Sequence, residues 1–355
     1  MVLSPARALA FSILQLVESG GYASELLHSR ATTLDARDAS LAHEIVFGVL
    51  RYRAQLDFLI GHYSGRSGRL DPEVRTALRM GIYQLRYLDR IPPHAAVADS
   101  VTLVRRARKT SAAGFVNAVL RKVDRLPVDW PDRATELSCP EWLLARWDRT
   151  FDEQTSRAIA LAALEQPVRY TRGDRVQDIG SQSIVPLLDL HPGQRFLDLC
   201  AAPGNKTAQA AEAGVHVTAC DIHHHRLAQV KPVTPNLAVV DGTRPLPFAR
   251  RFDRILLDAP CSGTGTLARN PEIKWRLIPA DLEDLARRQH ALLAQARAVL
   301  APGGMMVYST CSLEPEENEG VTADVPEDLI EQTMHRLPGR DPGDGFYACV
   351  IRAGY

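Results

Sequence analysis

Two short peptides in the second half of the chain each hold a cysteine among small and polar residues. One is Asp258-Ala259-Pro260-Cys261-Ser262-Gly263-Thr264-Gly265; the other runs Tyr308-Ser309-Thr310-Cys311-Ser312-Leu313-Glu314-Pro315-Glu316-Glu317-Asn318. Each follows an apolar run that reads as a buried strand, Ile255-Leu256-Leu257 and Met305-Met306-Val307-Tyr308. Each thiol therefore sits just past the carboxyl end of a strand, where open α/β sheets build their sites. Paired thiols suit the methylation of a ring carbon that has no nucleophilicity of its own. Carbon 5 of cytosine is too electron-poor to attack a methyl sulfonium. A thiolate that adds to carbon 6 turns the ring into an enamine, and carbon 5 becomes nucleophilic. After methyl transfer the proton on carbon 5 leaves and the thiol is eliminated. An acid near ring nitrogen 3 helps, because it neutralises charge developing there. Asp258 can supply that acid, and Cys311 and Cys261 the nucleophile and the release group.

A lone cysteine is more often a small core residue than a reactive one. Cys200, Cys220 and Cys349 read that way, although Cys200 can also lend backbone to a ligand loop. The six cysteines show no metal spacing. Nor does His223-His224-His225 suggest a metal, since consecutive residues on a helix cannot all face one ion. The run reads as a polar helix start, and no metal is expected.

Upstream, Phe196-Leu197-Asp198-Leu199-Cys200-Ala201-Ala202-Pro203-Gly204-Asn205-Lys206-Thr207 has the form of a strand, a tight turn and a helix start. Small residues and Gly204 let backbone approach a ligand closely. The helix opening near Lys206 would turn free N–H groups toward it. The second strand ends at Asp221, where an acidic residue would bind ribose hydroxyls. The third ends at Asp241, suited to an adenine amine. The alternative is that these aspartates only form turns or cap helices.

Several elements must position these loops. At 355 residues the chain is long enough for two or three domains. No apolar run reaches bilayer length, and the first residues do not read as a secretory leader, so a cytoplasmic protein away from membranes is expected. The chain is neutral overall, yet residues 1–130 carry 18 Lys and Arg against 12 Asp and Glu. A basic front half suggests a polyanion partner. Residues 4 to about 125 read as helices. Asp71-Pro72-Glu73 opens one, with Val74, Leu78, Ile82 and Leu85 on its buried face and Arg75, Arg79 and Arg86 elsewhere. Arg125 to Pro131 reads as a linker and Pro140 to about Glu165 as a helical bridge. From Val176 strands alternate with helices: 195–199, 215–220, 237–240, 254–257, 305–308 and 347–351. This is the rhythm of a mostly parallel sheet. The expected division is a helical domain over 1–127, a bridge over 128–175 and an α/β domain over 176–355.

With these residues in hand, the chain resembles the RsmB/Fmu/Sun branch of the RNA (cytosine-5)-methyltransferases, within the NOL/NOP/Sun family. Residues 4–125 look like its NusB-like helical RNA-binding domain, notably Tyr83-Gln84-Leu85, Arg90 to Val97, and Gly114 to Arg121. Val176 to Gln182 is similar to the lead into its catalytic domain. The 198–207 loop resembles its cofactor motif, Asp258 through Asn270-Pro271-Glu272-Ile273-Lys274-Trp275 its fourth motif, and Ser309 to Asn318 its sixth. The resemblance implies an all-α NusB-like domain followed by a Rossmann-like class I methyltransferase domain, whose seven-stranded sheet ends on an antiparallel strand near Asp344 to Val350. It implies S-adenosylmethionine as cofactor, 16S rRNA as partner and, as expected here, a monomer. It makes Cys311 the nucleophile, Cys261 the residue that assists release, and Asp258 the contact to nitrogen 3, with Pro260 shaping that loop. Cys200, Ala201, Ala202, Pro203, Gly204, Asn205, Lys206, Asp221 and Asp241 would hold the cofactor beside Asp258.

Three departures stand out. Asn205 replaces the family's usual second Gly; Asn tolerates left-handed backbone better than most residues, so the loop is expected to survive with altered cofactor affinity. The stretch before Val176, where the family places a small RNA-contacting subdomain, is short. So is the region between Asn318 and Asp344. The trimmed recognition region and Asn205 raise one alternative, a non-catalytic, antitermination-like RNA-binding factor with a vestigial methyltransferase fold; the Pro260-Cys261 peptide raises another, a DNA cytosine methyltransferase with its nucleophile there.

Overall fold

The computed structural model describes residues 3–65 and 68–354. They form two compact units, one running to Glu165 together with Ala268–Arg276, the other comprising Gln166–Leu267 and Leu277 onward. The stretch 128–175 is thus divided between the two units.

The first unit is helical: α1 (Pro5–Glu18), α2 (Ala23–Arg30), α3 (Ala36–Arg51), α4 (Arg53–Ser64), α5 (Pro72–Tyr87), α6 (Pro93–Arg106), α7 (Ala113–Leu120), α8 (Arg133–Glu136), α9 (Glu141–Thr150) and α10 (Glu153–Ala162). Pro72 begins α5, where a missing N–H costs nothing. α5 packs against α1, α3, α4, α6 and α7, so it is covered on nearly every side. Val74, Leu78 and Ile82 are buried as their spacing implies. Arg79, off the apolar face by its spacing, is nonetheless buried. It is 3% exposed, because helices also cover that side of α5. Its guanidinium is satisfied by Asp57 through two bonds of 2.6 and 2.7 Å and by Glu18 at 2.7 Å.

The segment Ala268–Arg276 continues the Cys261 peptide in sequence, yet it packs in the helical unit. It satisfies helix ends that would otherwise keep orphan groups. The Trp275 indole donates to the Leu50 carbonyl at 2.7 Å and Lys274 Nζ to the Arg51 carbonyl at 2.9 Å, both in the last turn of α3. Glu272 accepts from the Ala23 amide, the first of α2, at 2.9 Å. In return Arg51 donates twice to the Ala268 carbonyl.

The second unit begins with β1 (Thr171–Arg172) and β2 (Arg175–Val176), a two-residue antiparallel pair. Its main sheet holds β3 (Arg195–Asp198), β4 (His216–Asp221), β5 (Leu237–Val239), β6 (Phe252–Asp258), β7 (Leu300–Thr310), β8 (Ile330–Arg336) and β9 (Phe346–Arg352). Its order is β5-β4-β3-β6-β7-β9-β8, parallel except that β9 runs antiparallel to both neighbours. Both faces are covered, so the central strands read as continuous apolar runs. Leu197, Ile255, Leu257, Met306 and Tyr308 pack with α14 (Pro279–Ala298) and α15 (Glu319–Thr322). Phe196, Leu256 and Val307 pack with a 3-10 turn at Val185–Leu188 and with α12 (Asn205–Ala211) and α13 (His224–Leu227). α11 (Ile179–Gln182) precedes that turn. β8 lacked any signal in the sequence. It is an edge strand, Ile-Glu-Gln-Thr-Met-His-Arg, with no buried position, so it needs no apolar pattern. Among the described residues no helix is long and apolar enough to cross a membrane.

Candidate active site

Because β3, β4, β6 and β7 are parallel, their carboxyl ends lie along one edge of the sheet. Asp198, Asp221, Asp258 and Thr310 are the last residues of these four strands. Asp258 pairs in register with Ser309, so the two thiol-bearing turns leave the sheet side by side. Backbone bonds hold them together: Ala259 N–H donates to Ser309 at 2.8 Å and Gly265 N–H to Cys311 at 2.9 Å. Gly265 is required by this approach, since a Cβ there would lie 2.5 Å from the Gly345 oxygen. As a result Cys261 Sγ and Cys311 Sγ are 3.4 Å apart, within sulfur hydrogen-bond range. The Cys261 thiol is pushed well up, first by its bond to Cys311, then by burial and the nearby Glu317 charge.

Asp258 lies beside this pair. Its Oδ1 accepts from the Ser309 hydroxyl at 2.9 Å and its Oδ2 from Lys206 Nζ at 2.6 Å. Lys206 was expected among the cofactor residues, and here its charge is bound to the acid. Burial works against the ammonium, but Asp258 outweighs it, with help from Cys311 and Asp198, and the pKa stands above the ordinary lysine value.

The 198–207 loop has the expected turn. Gly204 takes φ +105°, left-handed backbone that suits glycine. Asn205 does not: it is the first residue of α12, with ordinary helical backbone, and its side-chain amide donates to the Val176 carbonyl at 3.1 Å. The Asn-for-Gly departure is thus accommodated by a hydrogen bond and not by tolerance of positive φ. α12 is seven residues long, so the loop shapes this cradle more than a helix dipole does. Cys200 packs against the core, and burial and the surrounding aspartates push its thiol well up. Ala201 is buried on the opposite face.

Asp198 is 1% exposed. Its Oδ2 accepts from the Thr207 hydroxyl at 2.7 Å, while Oδ1 has no partner of hydrogen-bonding geometry, although the Cys200 amide is close enough to favour the charged form slightly. Burial pushes this carboxyl up to about 7. Asp221 and Asp241 each accept from the amide two residues on, His223 at 2.8 Å and Thr243 at 3.1 Å. The Thr243 hydroxyl and amide hold Asp241 below the usual carboxylate range. Both therefore form Asx turns, which fixes the carboxylates at the strand ends. An orphaned buried carboxylate oxygen, a turn of small residues and two fixed acids fit a ligand carrying positive charge and ribose hydroxyls. Among the described residues no group of His, Cys, Asp and Glu could hold a metal.

The sequence missed what sits beneath the thiols. Glu317 is wholly buried. It accepts from the Ser262 amide at 2.8 Å, from the Ser262 and Ser312 hydroxyls, and from the Gln289 amide at 2.9 Å. Gln289, on α14, also donates to the Pro260 carbonyl at 2.8 Å. Asn318 closes the turn by accepting from Thr310 at 2.6 Å and donating to the Ser312 carbonyl at 3.0 Å. A glutamate in an acidic run reads as solvated, and only tertiary contacts reveal it as buried.

Residues 4–125 match the NusB family, and residues 185–336 match the family described as 16S rRNA methyltransferase RsmB/F. The chain is 33% identical to ribosomal RNA small subunit methyltransferase B of Yersinia enterocolitica, covering 95% of this chain and 96% of that one. Against the same enzyme of Yersinia pestis it is 34% identical, covering 97% of both. The first alignment runs over 413 residues, longer than the chain, so the relative carries segments this protein lacks. Two solved structures share the fold: PH0851, with a TM-score of 0.76, 20% identity and 99% coverage of each chain, and a methyltransferase homolog from Pyrococcus horikoshii, with a TM-score of 0.52, 22% identity and 62% and 97% coverage. The paired thiols and the carboxyl-edge loop thus stand in a protein that belongs to the RsmB/F family of 16S rRNA methyltransferases.

Proposed function

We propose that this protein methylates carbon 5 of a cytosine in 16S rRNA through a covalent bond between Cys311 and carbon 6. The observation that carries this reading is the 3.4 Å thiol pair beside the Lys206–Asp258 ion pair. The family and the Yersinia relatives' printed names support 16S rRNA as substrate. The target base must be unpaired or flipped, because carbon 6 is shielded in a stack.

S-adenosylmethionine would be held by the 200–206 loop with Asp221 and Asp241 and would supply an electrophilic methyl group. Cys311 Sγ, as thiolate, bonds to carbon 6 and its charge passes into the ring. Asp258 orients the ring edge at nitrogen 3, and Lys206 Nζ donates a hydrogen bond, keeping its proton, where that charge develops. The enamine formed by addition makes carbon 5 the nucleophile. Once carbon 5 is methylated, its proton passes to water, and the C–H electron pair restores the double bond. The carbon–sulfur bond breaks with its electrons on Cys311 Sγ, and the Cys261 S–H stabilises the departing thiolate by donating to it.

Cys311→Ala is expected to abolish methylation, and the native protein to form a covalent adduct with RNA containing 5-fluorocytidine. Cys261→Ala should accumulate a protein–RNA species visible as a shifted band. Turnover by the Cys311→Ala variant would refute the assigned nucleophile. Bisulfite sequencing of rRNA from cells lacking the gene identifies the modified position.

A further inference from the structure

Beyond the two thiols themselves, we propose that Glu317 is the positioning residue that keeps their roles distinct: it keeps the proton on Cys261, so that Cys261 is the donor and Cys311 the nucleophile. The proposal rests on the reading above that both thiols act on the base. Glu317 ties one loop to the other. Its carboxylate takes the Ser262 amide and hydroxyl from the residue after Cys261, and the Ser312 hydroxyl from the residue after Cys311. Those three bonds set the spacing of the sulfurs from below. A fourth, from Gln289, secures the carboxylate to α14, which also holds the Pro260 carbonyl.

Every partner that the described residues give Glu317 is neutral. Neutral donors stabilise a buried carboxylate without cancelling its charge, and in a poorly polarisable interior that charge is felt by its neighbours. The groups facing the thiol pair are unequally placed. Cys261 feels Cys311 and Glu317, and Tyr308 stands behind it in the sheet. Cys311 instead faces the Lys206 ammonium, itself bound to Asp258. Glu317 is bound twice to the residue after Cys261 and once to the residue after Cys311, so its uncancelled charge bears on the Cys261 side and favours the shared proton on Cys261. Two chemically identical thiols are thereby made into an acid and a nucleophile.

The test uses the full chain and iodoacetamide, with each cysteine followed by mass spectrometry. In a Cys311→Ser background, adding Glu317→Gln should lower the pH of half-maximal Cys261 alkylation by at least about one unit, which is about a tenfold faster reaction at neutral pH. An unchanged alkylation profile in a folded variant overturns the proposal. With Cys311 intact, Glu317→Gln should lower kcat with KM retained and accumulate the RNA adduct; an unchanged kcat likewise overturns it. Should the Gln variant fail to fold, Ser312→Ala removes one donor and leaves the charge. It should lower kcat with KM retained, and full activity would overturn the positioning role. The alkylation arm needs neither RNA nor cofactor. Its failure is therefore distinguishable from failure of the cytosine reading, which shows as no 5-methylcytosine and no adduct from the native protein.

Discussion

Arg79 in the helical unit and Glu317 in the sheet unit are both buried charges, and they are stabilised in opposite ways. Arg79 is matched by two carboxylates, Asp57 and Glu18, and Arg53 and Arg75 reach the same Glu18. Its charge is cancelled locally and acts on nothing beyond the helices it joins. Among the described residues Glu317 is bonded by hydroxyls and amides alone, so its charge reaches the neighbouring thiol. The Arg79 charge is neutralised where it stands, whereas the Glu317 charge is solvated by neutral donors and left uncancelled.

That contrast can be broken by substitution. Arg79→Met takes two bonds from Asp57 and one from Glu18, which keeps Arg53 and Arg75 nearby. Both carboxylates remain partly reachable by water, so the loss of stability should be about 3 kcal/mol, at the lower end for a broken buried pair. Denaturant unfolding measures it, and methylation per folded molecule should be unchanged; a catalytic defect would show that the helical charges do more than hold helices. Lys206→Met should act mainly on the rate, with kcat falling about a hundredfold beside a smaller loss of stability from Asp258, which keeps the Ser309 hydroxyl. Single-turnover kinetics would expose an error if the rate survived.

Two pH dependences sharpen the comparison. Lys274 is fully buried in the helical unit, and burial lowers its pKa from 10.5 to about 8. Between those values the unfolded chain binds the additional proton, so stability should rise with pH from about 8 to 10.5. The gain should be on the order of 2 kcal/mol relative to Lys274→Met, and an equal slope in the variant would contradict it. The smallest effect belongs to Glu18. Burial works to raise its carboxyl, but Arg53, Arg79 and Arg75 hold it below the ordinary 4.5. Its contribution is present above that value and lost as pH falls through the lowered one. Exposure keeps it below about 1 kcal/mol, read as the acid unfolding difference from Glu18→Gln.

Much of the sheet was legible because its central strands are apolar on both faces. Phe196-Leu197 and Ile255-Leu256-Leu257 alternate between two cores and so leave no polar gap. β8 was invisible for the converse reason: none of its positions is buried, and Ile330 and Met334 pack only at the margins of the two cores. The turn at Gly204 was legible because left-handed backbone favours glycine, while the helical conformation of Asn205 was not, since asparagine is compatible with several. The burial of Arg79 escaped notice because helical spacing identifies one apolar face and says nothing about how many neighbours a helix will have.

Local order along the chain is enough to name Cys261, Cys311 and Asp258 and to set each at a strand end, since strand periodicity and turn chemistry act over a few residues. Which groups then meet was decided only by the packing of segments far apart in sequence. The sulfurs at 261 and 311, the ammonium of Lys206 on Asp258, and Glu317 beneath Ser262 and Ser312 are brought together by strand order and by parallel register. Side-chain charge is a property of composition. Whether that charge is cancelled or left to act depends on distances of a few ångströms, and those exist only in the folded chain.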